Sequence, residues 1–215
     1  MGRLNPNQLI VEGPEDLFSV VGLMRAHVVW PEPKENAPVW IDAAGGVEKI
    51  LERGYLDTKL MTPGLKTLGV ILDADINPQA RYDSFRNRCS GIFPGLPQEM
   101  PTEGLVAENA NAQRLGLWIM PDNVSEGTLE TFLRYLVPTD SVPVWEHATK
   151  SVATARTLGA NCRECHIPKA NLYTWLAWHD EPGQSPGIAL TRKTLDPHSR
   201  SSAAFVKWFH DLYQL

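Results

Sequence analysis

The sequence has few cysteines and no long apolar run. Its 215 residues include only Cys89, Cys162 and Cys165, too few and too unevenly spaced for a disulfide framework. No stretch reaches the roughly 18 consecutive apolar residues that a membrane-spanning helix needs. The first residues lack the features of a secretory signal, and the chain has neither internal repeats nor a glycine-rich phosphate loop. We therefore expect a cytoplasmic protein with reduced cysteines and no membrane partner.

Acidic and basic residues are unevenly distributed. The net charge of the chain is −5; residues 1–146 hold 12 basic and 20 acidic residues, whereas residues 147–215 hold 8 and 5. This asymmetry fits an acidic, cation-binding centre beside a surface that contacts phosphate. Ordinary variation in surface charge explains it equally well, so charge alone does not indicate a function.

Apolar runs alternate with helical patterns over the first two thirds of the chain. This alternation predicts an α/β fold, a mostly parallel sheet with helices on both faces. We place the α/β domain at residues 7–137 and a C-terminal helical extension, packed on it, at residues 138–215. The predicted strands are 8–11, 38–42, 68–72, 105–108 and 114–120, the last two forming an edge hairpin. The predicted helices are 17–28, 47–56, 78–88, 129–136, 146–158, 168–178 and 201–215.

Acidic residues follow the predicted strands where they end. Ligands in open α/β sheets bind beyond the carboxyl ends of the strands, so these carboxylates would meet at one edge. Oxygen ligands of this kind suit Mg²⁺ or Mn²⁺. The alternative is that each acid merely caps a strand end or a helix start. The residues are Glu12 and Asp16 after the first strand, Asp73 and Asp75 after the third, and Asp122, Glu126 and Glu130 after the hairpin.

Two of these acidic segments resemble the Toprim domain. They are residues 9–16 (LIVEGPED) and 69–75 (GVILDAD). The domain occurs in topoisomerases, bacterial primases, the ribosomal-RNA maturase M5 and the nucleases of the overcoming-lysogenization-defect type. Over nearly its full length the chain also resembles a family of small stand-alone Toprim-like proteins, through residues 118–123 (WIMPDN), 127–130 (GTLE) and 169–177 (KANLYTWLA).

The resemblance implies a Toprim-like (Rossmann-like) fold and a role for each matching residue. Glu12 would bind metal or act as a general acid or base, and Asp73 and Asp75 would bind metal. In the nuclease branch, Asp16 and Glu130 would be further metal ligands, with Asp122 and Glu126 as alternatives to Glu130. Lys169 would lie near the scissile phosphate.

These roles imply a nuclease that hydrolyses phosphodiester bonds in DNA or RNA with Mg²⁺ or Mn²⁺. The chain lacks the fused ATPase of the overcoming-lysogenization-defect proteins, so we expect a separately encoded ATPase partner and a role in phage defence. Arg81, Arg86 and Arg88 follow the Asp-x-Asp segment and could contact the phosphate backbone. A solvated helix face is the competing interpretation of these arginines.

Two other functions are compatible with the sequence. The first is a Toprim-like module that binds and regulates a partner protein without catalysis. The second is a phosphatase of the haloacid-dehalogenase type, because Asp73 and Asp75 resemble its nucleophile motif. That motif calls for Thr or Val where this chain has Asn77, and it would leave Glu12 unexplained.

The segment Cys162-Arg163-Glu164-Cys165-His166 matches the c-type haem attachment pattern. Haem attachment requires export, which we do not expect here. A zinc site would need a fourth ligand from elsewhere in the chain. We interpret the segment as a turn with no metal or cofactor.

Overall fold

The computed structural model describes residues 5–215 and has the predicted α/β fold. Its five-stranded sheet has the order β2-β1-β3-β5-β4. The four strands β2, β1, β3 and β5 are parallel, and β4 pairs antiparallel with β5 at the edge. The predicted edge hairpin is therefore present. The strands are β1 (Asn7–Val11), β2 (Trp40–Ala43), β3 (Thr67–Asp73), β4 (Leu105–Glu108) and β5 (Arg114–Met120).

Helices cover both faces of this sheet. One face packs against α2, α3 and α4, and the other against α1 and the five helices that follow β5. The helices are α1 (Pro14–Met24), α2 (Val47–Ile50), α3 (Tyr55–Leu60), α4 (Pro78–Cys89), α5 (Leu129–Arg134), α6 (Val142–Thr157), α7 (Ile167–Leu176), α8 (Pro186–Thr191) and α9 (Ala203–Tyr213).

The central strands are buried on both faces, as their continuous apolar runs predict. Along β3, Ile71 packs against the face covered by the C-terminal helices, and its neighbours Val70 and Leu72 pack against the α4 face. This alternation divides the core into two apolar clusters, one on each side of the sheet. Residues 138–215 contribute to only one of them, together with residues of α1, β1 and β5.

Helix α9 lies directly on the sheet because two strands have glycine beneath it. Gly69 of β3 and Gly116 of β5 are partners in the strand register. A Cβ atom at Gly69 would lie 2.3 Å from the Tyr213 hydroxyl, and one at Gly116 would lie 2.4 Å from Leu212. The buried Tyr213 hydroxyl donates a hydrogen bond to the carbonyl of Gln8, 2.8 Å away. The paired glycines thus set how closely the C-terminal helix approaches the sheet.

Two predicted helices differ from the structure, and one helix was not predicted. The predicted helix 47–56 is two short helices, because Gly54 adopts a left-handed conformation (φ 86°) between them. The predicted helix 146–158 begins earlier, at Val142, because Pro143 lies in the first turn of α6, where proline is well tolerated. Helix α8 was not predicted, because its short sequence PGIALT has no amphipathic repeat.

Helices α1 and α8 cross at two glycines. A Cβ atom at Gly22 would lie 2.5 Å from the Gly187 carbonyl oxygen, and one at Gly187 would lie 2.4 Å from the Phe18 carbonyl oxygen. Both obstacles are backbone atoms, which cannot rotate away as a side chain can. This contact holds α1, and with it the start of the candidate site, against the C-terminal part of the chain.

We expect Gly22→Ala to destabilise the protein. Overpacking of this kind costs about 2–3 kcal/mol, which lowers the melting temperature of a chain of this size by roughly 5–10 °C. Thermal unfolding followed by circular dichroism measures the change. Gly91→Ala is the matched control, because a Cβ there meets nothing within 4 Å. Equal melting temperatures for the two variants would contradict the close helix contact.

In residues 5–215 no helix is both long and apolar enough to cross a membrane. Trp118, Trp175 and Trp208 are almost fully buried. These three tryptophans therefore pack in the core and are not available to stack on nucleic-acid bases.

Candidate functional site

A cavity of about 640 Å³ opens at the carboxyl ends of β1 and β3. This is the edge at which parallel α/β sheets bind ligands. Its walls come from the β1–α1 turn, the loop after β2, the end of β3 and the starts of α5 and α7. The residues that line it are Glu12, Gly13, Pro14, Glu15, Asp16, Gly45, Gly46, Asp73, Leu129, Glu130 and Lys169.

Glu12 directly follows β1 and Asp73 is the last residue of β3, and both carboxylates accept hydrogen bonds from backbone amides. The Glu12 Oε1 atom accepts a hydrogen bond from the Asp73 amide at 2.9 Å. Asp73 Oδ1 accepts one from the Leu129 amide at the start of α5, also at 2.9 Å. Each carboxylate thus has one oxygen fixed by the protein. Within residues 5–215 the second oxygen of each has no hydrogen-bond donor.

Two further carboxylates of the cavity also have one oxygen held by a donor of the protein. Asp16 lies in the first turn of α1, and its Oδ2 accepts from the Gly13 amide at 2.9 Å. Glu130 lies in the first turn of α5, and its Oε2 accepts from the Thr128 hydroxyl at 2.7 Å. The other oxygen of Glu130 has no donor in the described part of the chain. Four of the predicted metal-binding acids therefore line one cavity.

Burial and the repulsion of neighbouring charges make Glu12, Asp16 and Asp73 hard to ionise. Burial raises the pKa of Asp73 to about 9, and the charges of Glu12, Asp16 and Glu130 add to the increase. Burial raises the pKa of Asp16 to about 6, with a smaller contribution from Glu130. The pKa of Glu12 is also raised, mainly by burial. A cation in the cavity would stabilise the ionised carboxylates and so lower their pKa values.

Asp75 does not line the cavity, although it belongs to the same Asp-x-Asp segment. Its backbone is left-handed (φ 52°) and forms two hydrogen bonds with Gly127, N–H to O in both directions, at 2.8 and 2.9 Å. Its carboxylate forms an ion pair with Arg81. The Arg81 Nε atom also donates to the Asp73 carbonyl at 2.9 Å. Asp75 and Arg81 thus fix the loop behind the cavity.

The other two acids after β5 also lie outside the cavity. Both oxygens of Asp122 accept hydrogen bonds within the turn that follows β5, from the amides of Val124 and Ser125 and from the Ser125 hydroxyl. Asp122 is therefore a turn cap. Glu126 is exposed to solvent and is not among the residues that line the cavity.

Lys169 is the one basic side chain among the described residues that line the cavity. Its Nζ atom forms an ion pair with Glu15 Oε2 at 2.7 Å, and this hydrogen bond raises the pKa of Lys169. The other Glu15 oxygen accepts from the Tyr173 hydroxyl at 2.8 Å. Glu15 and Tyr173 were not predicted. The one sequence signal for Tyr173 was its spacing of four residues from Lys169, which puts both on one face of α7; no sequence pattern indicated Glu15.

Part of the cavity wall, at Gly45 and Gly46, is bare backbone. Gly45 and Gly46 have positive φ angles of 94° and 117°, and both amides donate to the Glu12 carbonyl at 2.9 Å. A Cβ atom at either glycine would meet nothing within 4 Å. An extended ligand could approach the carboxylates closely along this wall.

Arg86 and Arg88 are bonded to the protein's own carbonyl groups. Arg86 donates to Pro97 at 3.4 Å and Arg88 to Leu51 at 2.7 Å. Neither lines the cavity. Their predicted contact with a phosphate backbone stays a prediction.

The cysteines are separate from the cavity. Cys89 is fully buried, and burial raises its pKa to about 12. Cys165 is exposed and Cys162 partly so, just before α7. Among residues 5–215, no three His, Cys, Asp or Glu side chains form a metal-binding group, and this covers Cys162, Cys165 and His166.

The same result applies to the acidic cavity: its carboxylates are not gathered into a complete coordination shell. The donor set nonetheless fits a hard divalent cation, because it is made only of oxygen atoms. Glu12, Asp73 and Glu130 each keep one oxygen without a protein donor. Rotation of these side chains would be needed to bring the oxygens together around one ion.

Comparison with family models matches residues 6–214. The chain belongs to the DUF3226 family. DUF3226 is described as a family of proteins of unknown function, so membership in it assigns no activity. No curated protein and no solved structure matches the chain. An activity for this DUF3226 chain has to be argued from the cavity itself.

Proposed function

We propose that the protein is a divalent-metal-dependent nuclease that hydrolyses phosphodiester bonds in DNA or RNA. One observation carries the proposal. Five carboxylates and one lysine line a single cavity at the carboxyl edge of the sheet: four of the predicted acids, together with Glu15 and Lys169. An acidic set with one adjacent cation is an arrangement that suits a metal ion and a phosphate together.

Each part of the cavity has a role in this proposal. Glu12 and Asp73 would hold Mg²⁺ or Mn²⁺, with Asp16 and Glu130 supporting them. Bound metal supplies an activated water and stabilises the charge on the leaving oxygen. Lys169 would donate hydrogen bonds to a phosphate oxygen and offset its charge. The bare wall at Gly45 and Gly46 would admit the sugar-phosphate backbone.

The Toprim resemblance adds two elements to the proposal. A separately encoded ATPase would act with this chain, as the fused ATPase does in the overcoming-lysogenization-defect proteins, and the pair would act against phage nucleic acid. The metal-dependent hydrolysis proposed for the cavity requires neither the ATPase partner nor the role against phage. Cleavage with the purified chain alone tests the chemistry without the partner.

Incubation with plasmid DNA and with total RNA, in Mg²⁺ or Mn²⁺, tests the activity. We expect cleavage of at least one substrate, loss of cleavage with a chelator, and recovery when metal is restored. Glu12→Gln should lower the rate about a thousandfold, because a metal contributes several kcal/mol to the transition state. Glu126→Gln is the matched control and should retain the wild-type rate. Metal-independent cleavage, or none in any condition, would contradict the proposal and favour a non-catalytic module.

A further inference from the structure

Glu15 joins the first turn of α1 to α7 at the wall of the cavity. Its two carboxylate oxygens have different partners, the Lys169 ammonium at 2.7 Å and the Tyr173 hydroxyl at 2.8 Å. Lys169 and Tyr173 are four residues apart on one face of α7. Glu15 itself is directly followed by Asp16, one of the acids of the cavity.

Both oxygens of Glu15 are therefore engaged, in contrast to Glu12, Asp73 and Glu130, which keep one oxygen without a donor. This difference separates Glu15 from the acids that would hold a metal. The same contact restrains Lys169. A lysine side chain is long and flexible, and its ammonium has three N–H donors. One of these donors bonds to Glu15, and the remaining ones are available to another acceptor.

We propose that Glu15, held by Tyr173, is a positioning residue that fixes the Lys169 ammonium for contact with the substrate phosphate. The inference rests on the proposed nuclease function and extends it to two residues with no assigned role. Glu15 would not touch the reacting atoms. Its negative charge also lies near the place proposed for the phosphate, so it weakens substrate binding while it improves the orientation of Lys169.

The two effects of Glu15 should be visible in different constants, the orientation of Lys169 in kcat and the repulsion of the phosphate in KM. Glu15→Ala should lower kcat by about tenfold to a hundredfold, because small misplacements of a charge near the reaction are costly. The same change should lower KM, since it removes a charge that repels the phosphate. Tyr173→Phe removes no charge, and we expect it to lower kcat by a smaller factor with KM unchanged.

A double variant distinguishes positioning from a general structural role. If Tyr173 acts only through Glu15, Glu15→Ala/Tyr173→Phe should have the kcat of Glu15→Ala alone. Independent structural effects would instead multiply. Asp211→Asn, which removes the exposed Lys207–Asp211 ion pair elsewhere on the chain, is the matched control and should change neither constant. Multiplied effects, or a raised KM with unchanged kcat, would overturn the inference.

Acetylation of lysine by acetic anhydride, followed by peptide mass spectrometry, tests the positioning without any cleavage. The Lys169 side chain should be acetylated several-fold faster in Glu15→Ala and in Tyr173→Phe than in the wild type, because loss of the Glu15 contact leaves more of its Nζ atom as the reactive neutral amine. The rate at Lys207 in the same samples should not change. Equal Lys169 rates in all three proteins would overturn the inference even if the wild type is an active nuclease. A wild type that cleaves nothing would contradict the proposed function, and the Lys169 rates would still decide whether Glu15 and Tyr173 hold this lysine.

Discussion

Asp73→Asn is expected to abolish cleavage and, in metal-free buffer, to raise the thermal stability of the protein. Burial raises the pKa of Asp73 to about 9, and the neighbouring charges of Glu12, Asp16 and Glu130 add to the cost of ionising it. Asn keeps an oxygen that can accept the hydrogen bond from the Leu129 amide. The substitution therefore removes the charge that would bind the metal and the repulsion that destabilises the fold.

We expect the cleavage rate to fall about a thousandfold. The melting temperature at pH 8 with a chelator should rise by several degrees, at roughly 2–4 °C per kcal/mol for a chain of this size. A plasmid-cleavage assay and differential scanning calorimetry measure the two effects on the same preparation. Opposite signs for activity and stability are the mark of a site that trades stability for function.

Asp122→Ala is the matched control for this pair of effects. Asp122 accepts three hydrogen bonds in its turn and lies outside the cavity. Its removal should lower stability by about 1–3 kcal/mol and leave the cleavage rate near that of the wild type. If Asp73→Asn cleaves at the wild-type rate or melts at a lower temperature, the assignment of Asp73 is wrong.

The second large effect is a loss of stability as the pH rises. The pKa of Asp73 rises from 3.8, the ordinary value for aspartate, to about 9 in the folded protein. The pKa of Asp16 rises from the same ordinary value to about 6. Between these limits the folded state binds more protons than the unfolded state, so stability falls with increasing pH. The contribution is fully present below about pH 4 and is lost as the pH approaches 9.

Melting curves in a chelator at pH 5 and pH 8 measure this loss. Each shifted pKa unit corresponds to about 1.4 kcal/mol at most. Allowing for partial solvent screening, we expect the wild type to lose about 2–4 kcal/mol, or roughly 5–10 °C. Asp73→Asn should lose much less, so the two curves should diverge as the pH rises. If the wild type and Asp73→Asn lost the same stability between pH 5 and pH 8, Asp73 would ionise with an ordinary pKa and its charge would not destabilise the fold.

Divalent ions should stabilise the wild type, and their effect should increase as the pH rises. Metal ions compete with protons for the same carboxylates, so Mg²⁺ should raise the melting temperature of the wild type more at pH 8 than at pH 5. No such difference is expected for Asp73→Asn. An equal effect of Mg²⁺ on both proteins would indicate binding elsewhere on the surface.

Local patterns were sufficient to predict most of the fold. The uninterrupted apolar run of β3 predicted a strand buried on both faces, and Pro78 correctly marked the start of α4. Helix α8 could not be predicted in the same way, because PGIALT has little helical signal of its own. It is held by the close contact between Gly22 and Gly187, which no local pattern reports.

The part of the candidate site that lies at the strand ends could be predicted from the sequence. Glu12 and Asp73 lie where the register of β1 and β3 puts them. Asp75 was expected to share an ion with Asp73, but the structure pairs it with Arg81 behind the cavity. That difference arises from its left-handed backbone and its bridge to Gly127, both tertiary features. The contact of Glu15 with Tyr173 joins positions 158 residues apart, and no sequence spacing could have indicated it.

Calorimetric titration of Mn²⁺ into the metal-free protein measures directly whether the acidic cavity binds a divalent ion. We expect binding to the wild type at ion concentrations below about a millimolar, the usual range for oxygen-ligand sites of moderate charge. Asp73→Asn should abolish this binding, and Asp122→Ala should leave it intact. Absence of binding at millimolar Mn²⁺, or equal binding by Asp73→Asn, would contradict a metal site in this cavity.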